Sequence, residues 1–175
     1  NERRAFVEET LSRAAGTRIA VEGAISVRFL PFPVVKLEGV TVGSKATGIE
    51  VKADRVSLDI GTMPLLKGEI HVMEATVEKP VVTLAISPEG RVPKFPPLTN
   101  NNNDASSGWA IRIETLALRN GELAVIPTAD APPMRLSKLD LDVEAAALSG
   151  PWHVEGTGQW HGRSVNVRLT TGALD

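Results

Sequence analysis

The dominant pattern along this chain is a period of two. Within Val51 to Ile86, Val56, Leu58 and Ile60 alternate with Arg55, Ser57 and Asp59. Met73, Ala75 and Val77 then alternate with Glu74, Thr76 and Glu78. Successive side chains of a strand point to opposite faces, so each run predicts a strand with one apolar and one polar face. The connector Met63-Pro64-Leu65-Leu66-Lys67-Gly68 is too apolar for a solvated turn. Pro64 suits a first helical position and Gly68 a helix stop, which predicts a short helical turn whose two leucines plug something.

Before this stretch the period is different. Phe6, Val7, Leu11, Ala14 and Ala15 share one helical face, so Glu2 to Ala15 predicts an amphipathic helix that Gly16 ends. Alternation then holds almost to the C-terminus. It predicts strands over Arg18–Gly23, Ile25–Leu30, Val34–Val42, Val51–Ile60, Glu69–Lys79 and Val81–Ile86. Further strands are predicted over Ala110–Arg119, Glu122–Ile126, Met134–Ala146, Trp152–Trp160 and Ser164–Thr171. Pro31 and Pro33 mark a bend or an edge, and Pro80 kinks or bulges a long strand.

Arg91 to Gly108, RVPKFPPLTNNNNDASSG, has neither period and reads as a linker between two halves. The halves are alike. VKADRVSLDI at Val51–Ile60 aligns without gaps with MRLSKLDLDV at Met134–Val143, and Ile70–Ile86 resembles Ile111–Ile126 with one residue deleted. Repeated long strands point to an extended sheet built from equivalent units. This divides the chain into residues 1–90 (helix and first β-repeat), 91–108 (linker) and 109–175 (second β-repeat, continuing the same sheet).

The later strands are also two-faced. Leu139, Leu141 and Val143 oppose Lys138, Asp140, Asp142 and Glu144; Trp152, Val154 and Trp160 oppose His153, Glu155 and His161; Val165, Val167 and Leu169 oppose Asn166 and Arg168. An apolar sheet face has to be covered. One visible helix cannot cover so many strands. Either a second sheet closes a β-sandwich, which the pattern alone favours, or the sheet curls into an apolar trough open to acyl chains or a docking partner.

Composition narrows the function. With 42% hydrophobic residues the chain is globular, and a net charge of −2 implies no nucleic-acid partner. The absence of cysteine removes disulfides, thiolate metal sites and thiol nucleophiles. No apolar run is long enough to span a bilayer. Aromatic residues are only 4% of the chain and tyrosine is absent, which weakens any stacking platform.

Candidate catalytic groups do not converge. His153 and His161 share a strand face but stand about 26 Å apart along an extended strand, too far to hold one metal. His71 is isolated in the sequence. Asp140 and Asp142 point the same way about 7 Å apart, in a row with Lys138 and Glu144 that reads as a solvated face. Ser12, Ser57 and Ser137 lack a nucleophile elbow, and Gly39, Gly43, Gly48 and Gly61 do not form a phosphate cradle. Arg3, Arg4 and Arg13 read as a solvated helix face. The expectation is no enzyme, no metal and no cofactor.

Several motifs in order resemble the N-terminal region of the bacterial AsmA family. They are the GTRIAV opening at Gly16–Val21, Leu30-Pro31-Phe32-Pro33 with Leu37-Glu38-Gly39-Val40, the connector Pro64-Leu65-Leu66-Lys67-Gly68, and Lys79-Pro80. IRIETLALRNGEL and MRLSKLDLDVEAAALSGPWHVEGTG are similar to the family's later repeats. The resemblance implies a mainly β protein similar to chorein-type bridge-like lipid-transfer proteins, with a long, curled antiparallel sheet forming a β-groove. It also implies an inner-membrane anchor ahead of Asn1, a bacterial periplasmic location, and phospholipid or another acyl lipid as partner. The implied role is non-enzymatic lipid transport between inner and outer membrane, or outer-membrane biogenesis and homeostasis. The alternative is a scaffold assisting outer-membrane protein assembly. The expected groove lining is Val56, Leu58, Ile60, Met73, Ala75, Val77, Leu139, Leu141, Val143, Trp152, Val154, Trp160, Val165, Val167 and Leu169. Leu65 and Leu66 are the expected cap at its end.

Overall fold

The structure, a computed structural model, describes residues 18–66, 70–86, 111–127, 132–145 and 152–170, together with Ala5, Glu8, Glu9 and Ser12. The side chains of Lys45, Leu65, Leu66, Ile70, Ile111, Arg112, Ile113, Ala145 and Trp152 lie outside the description. So does the 91–108 linker, along with most of the expected Glu2–Ala15 helix. Of that helix, Ala5, Glu8, Glu9 and Ser12 are described and have helical backbone.

Among the described residues, ten strands form one sheet: β1 (Ile19–Val21), β2 (Ile25–Arg28), β3 (Val34–Ser44), β4 (Ile49–Ile60), β5 (Ile70–Glu78), β6 (Val81–Ala85), β7 (Ile111–Ile126), β8 (Met134–Ala145), β9 (Trp152–Trp160) and β10 (Arg163–Thr170). The main path is β1-β3-β4-β5-β7-β8-β9-β10, with β2 on β3 and β6 between β4 and β7. The expected candidates Ala110–Arg119 and Glu122–Ile126 are a single strand, β7. The apolar connector forms the helical turn α1 (Thr62–Leu66). It begins two residues earlier than the sequence suggested. Pro64 still falls within the first turn, where its missing N–H leaves no helical bond unmade.

Two expectations need correction. The sheet is mixed, not antiparallel throughout, because β7 runs parallel to both β5 and β6. Parallel neighbours need a crossover of about a dozen residues or more, and the chain between β6 and β7, residues 86–110, is long enough to supply one. A closed sandwich is also not what the described residues form. Every extensive contact between strands joins hydrogen-bonded neighbours, and no second layer packs across either face.

The compact part of the core lies at the β1–β4 end. Val21, Leu37 and Val40 are buried together, with Ile19, Ile25, Val35, Val42 and Val56 packed against them. The outer edge of β1 is capped by side chains. Val21 N–H donates to a Glu8 carboxylate oxygen (2.7 Å) and Ile19 N–H to Ser12 Oγ (2.8 Å), while the Ser12 hydroxyl faces the Ile19 carbonyl (3.2 Å). Residues four apart on a helix lie on one face, so Glu8 and Ser12 together satisfy donors that an edge strand otherwise leaves open to further pairing.

A line of left-handed residues crosses the sheet. Gly39 (φ 62°) in β3, Lys79 (φ 49°) between β5 and β6, Asn120 (φ 53°) in β7 and Lys138 (φ 49°) in β8 occupy neighbouring register positions. Between the first two, β4 contributes Asp54, whose carboxylate meets Lys79 Nζ at 3.4 Å. Lys79 N–H donates to the Arg119 carbonyl (2.8 Å), and Asn120 N–H donates to Asp140 Oδ1 (2.8 Å). Each left-handed residue shifts the alternation by one. In β7, Leu116 and Leu118 precede the shift and Leu123 and Val125 follow it; in β8, Met134 and Leu136 precede it and Leu141 and Val143 follow it. Register couples the shifts, so apolar residues on both sides of the line stay on one face.

The similar segments Ile70–Ala85 and Ile111–Ile126 lie side by side with a constant offset, from Ile70 opposite Ile111 to Ala85 opposite Ile126. No deletion is needed to match them, and Lys79 falls opposite Asn120. A non-glycine residue held at positive φ is costly, least so for Asn and most for β-branched residues. Asn120→Val is therefore expected to lower stability by about 1–3 kcal/mol, while Asn120→Gly stays near wild type; urea denaturation distinguishes the two.

Candidate apolar binding face

Residues directly opposite in neighbouring strands project to the same face, so register defines rows that run across the strands. One row is Val35, Leu58, Ala75, Leu116, Val143, Val154 and Leu169. The next is Leu37, Val56, Val77, Leu118, Leu141, Gly156 and Val167. Beyond the left-handed line the face continues as Val42, Val51, Val82, Leu123, Leu136 and Trp160, followed by Ile49, Leu84, Val125 and Met134. From β3 to β10 the first two rows span six interstrand steps, roughly 29 Å at the usual strand spacing.

These rows are not sealed. Val56, Leu58, Val77, Leu116, Leu118, Leu141, Val143, Val154, Val165 and Val167 are half-buried, and Trp160 and Leu169 are exposed. Among the described residues on or between these rows, Leu37, Val40, Ile49, Ala53, Ala75 and Leu139 are buried. Two glycines shape the face at β9. A Cβ on Gly156 would collide with the Asp140 carbonyl and come within 2.7 Å of Leu141 Cδ2, and one on Gly158 would come within 2.6 Å of Leu139 Cδ2. Leu139 and Leu141 therefore lie down over the bare backbone of β9 and fill the hollows that side chains would otherwise occupy.

The opposite face is polar and ion-paired. Arg55 bridges Glu78 (3.1 Å) and Glu38 (3.8 Å), Arg168 meets Glu155 (2.9 Å), and Arg119 pairs with Asp142. Arg119 also donates to the Leu118 and Leu141 carbonyls (3.2 Å each). The hydrogen bond to Asp142 and the charges of Asp142, Asp140 and Glu74, against some desolvation, raise the Arg119 pKa, so it stays cationic. Exposed pairs of this kind contribute little each; their effect is to mark this face as the one that meets water.

The sequence-derived lining residues are placed as follows. Val56, Leu58, Ala75, Val77, Leu139, Leu141, Val143, Val154, Trp160, Val165, Val167 and Leu169 fall on the apolar face by register. Ile60 and Met73 sit at a bulge between β4 and β5, where Ile60 pairs with Val72 and Met73 is left over. Met73 turns toward a separate hollow beside α1 that Ile60 also lines. Trp152 pairs with Ala145, and Leu65 and Leu66 belong to α1, but these three side chains lie outside the description. Sequence reasoning missed the rows beyond the left-handed line, Val51, Val82, Leu84, Leu123, Val125, Leu136 and Met134. The signal was present as an apolar alternation that changes parity within each strand.

The candidate chemistry is dispersed. Asp142 is occupied by Arg119, and Asp140 accepts the Asn120 N–H. His153 is exposed on β9 and His161 lies in the β9–β10 turn, its ring 5.4 Å from that of Trp160. His71 is not isolated: its Nε2 is 2.8 Å from Glu114 Oε1 on neighbouring β7, though not aligned as a hydrogen bond. No group of three or more metal-ligating side chains occurs among the described residues.

Among the described residues, fold and face together define a one-layer, two-faced β-sheet whose apolar surface runs across its strands and is covered by no described element. The AsmA family model matches residues 1–170, and the chain belongs to that family. No curated protein and no solved structure matches it. Among the described residues, no helix is long and apolar enough to cross a membrane.

Gly156→Val places a branched side chain against the Asp140 carbonyl and Leu141. The expected result is a loss of about 1–3 kcal/mol in denaturant unfolding, as for other overpacked sites, with Thr157→Val on the other face of β9 close to neutral.

Proposed function

We propose that this chain is a non-enzymatic lipid-handling module of the bacterial periplasm, anchored at the inner membrane in the full-length protein, whose apolar face shields phospholipid acyl chains in transit between inner and outer membrane. The observation that carries this reading is the continuity of the apolar rows. The first two run from β3 to β10, across the strands, and no described element covers them. A buried enzyme core would be closed, and a compact binding pocket would interrupt the rows with polar groups that fix a ligand's orientation. An uninterrupted apolar path fits a ligand that is itself long and apolar and that slides without fixed orientation.

The energetics suit this role. Each methylene that leaves water contributes about 0.8 kcal/mol, and that contribution is the same at every point along a uniform face, so movement from row to row meets no deep trap. The half-buried state of the lining adds support: the sheet already tolerates these side chains in water, so release of lipid leaves no unstable cavity. AsmA membership supports an envelope-related role. The ion pairs that occupy Arg119 and Asp142 speak for a structural use of these charges and against acid–base catalysis.

Leu58→Asp and Leu141→Asp each place a carboxylate in a separate apolar row, at the β4 and β8 positions. Photo-crosslinking of acyl lipid to the chain is expected to fall at least tenfold in each, with far-UV circular dichroism unchanged. Lipid capture equal to wild type in both variants would sink this reading and leave the face as a docking surface for outer-membrane assembly proteins.

A further inference from the structure

At one end of the sheet, apolar side chains are turned outward instead of inward. The segment between β2 and β3, Phe29-Leu30-Pro31-Phe32-Pro33, carries Leu30 at 82%, Phe29 at 70% and Phe32 at 67% exposure, and Met63 of α1 is 72% exposed. The next most exposed large apolar residue among those described is Leu169, at 53%. These four are therefore the most exposed large apolar residues among those described, and they occur at one end: the Pro33 carbonyl accepts the Ile60 N–H (2.9 Å) just before α1, and Phe32 and Met63 line one hollow of about 670 Å³. Two prolines restrict the backbone between the exposed aromatic residues, so little freedom is lost when the segment is ordered against a partner.

The same hollow is cationic. Arg28 and Lys36 line it, and Asp59 is the single carboxylate among its described lining residues. Neither Arg28 nor Lys36 has an ion-pair partner among the described residues. This contrasts with the centre of the polar face, where Arg55, Lys79, Arg119 and Arg168 are all paired. Exposed apolar residues at a bend, with unpaired cations just behind them, match the two layers of a lipid interface: acyl boundary first, phosphate headgroups next.

We propose that this end of the sheet docks on an anionic phospholipid bilayer, with Phe29, Leu30, Phe32 and Met63 entering the interface and Arg28 and Lys36 facing the headgroups. The contact is independent of the acyl path on the sheet face, because its residues lie outside the apolar rows.

Flotation of the 175-residue chain with vesicles tests it. The chain is expected to float with vesicles of phosphatidylcholine and phosphatidylglycerol, and at least tenfold less when Phe29→Ser, Leu30→Ser and Phe32→Ser are combined. Arg28→Gln with Lys36→Gln is expected to remove the preference over pure phosphatidylcholine. Val81→Ser with Ile126→Ser, exposed apolar positions outside both this contact and the apolar rows, should float as wild type. A second readout does not depend on the triple variant folding. Because the chain has no cysteine, Leu30→Cys takes a single environment-sensitive fluorophore, which is expected to shift to the blue with anionic vesicles, while the same label at Val81→Cys does not. Wild-type chain that floats with neither vesicle, a triple variant that floats normally, or a label at residue 30 that stays in water overturns the proposal. Leu58→Asp should float normally, so failure of the acyl path and failure of this contact are told apart.

Discussion

The rest of the structure depends on one geometric constraint: a strand side chain can change faces only if the backbone leaves the pleat. The apolar rows stay on one side of a single sheet although most of the long strands change parity midway. Gly39, Lys79, Asn120 and Lys138 make that possible in β3, at the β5–β6 junction, in β7 and in β8, while β4 changes parity beside Asp54 without a left-handed residue of its own. Each takes a left-handed conformation that advances the alternation by one, and their neighbouring register positions make the shifts coincide. Had one strand shifted alone, half its apolar residues would have faced the ion-paired side. Asp54 and Asp140 hold the line from the polar face, through Lys79 and the Asn120 N–H.

A one-layer sheet has two problems, its edges and its uncovered face, and this chain treats them differently. The β1 edge is closed by Glu8 and Ser12, which answer two strand donors with side-chain oxygens. The face is not closed among the described residues. Buried residues concentrate around Val21, Leu37 and Val40, while the rows toward β10 are only half-covered. A protein whose sole requirement was stability would cover such a face. Keeping it open is consistent with a surface held ready for acyl chains, and with the placement of a second, outward-turned apolar cluster at the sheet's end.

The β-class and most strand boundaries are legible because period two is a local property, and the helical turn at Thr62–Leu66 is legible because Pro64 is a local start signal. The apolar residues of β9, β10 and the second half of β8 are legible from the same period of two. Asn120-Gly121 resembles a turn in the sequence and so separates two strand patterns, whereas in the sheet it is one bulged step of β7 with Gly121 beside Pro80. His71 is isolated along the sequence because its neighbour Glu114 is distant in the chain and comes near only through the parallel β5–β7 pairing. Phe29, Leu30 and Phe32 looked like part of an ordinary strand corner; their exposure depends on which way the bend between β2 and β3 faces.

What the sequence determined by itself was the amphipathic character of each strand, since alternation along the chain is fixed by residue order. It also held the parity changes within β4, β7 and β8 and the kink at Lys79-Pro80. The tertiary structure decided which strands became neighbours: the parallel placement of β7 against β5 and β6, the constant offset that sets Lys79 opposite Asn120, and so the union of separate apolar stripes into continuous rows. Those depend on pairings between residues far apart in the chain. A single strand's pattern constrains its own two faces and is silent about the strand that will lie beside it.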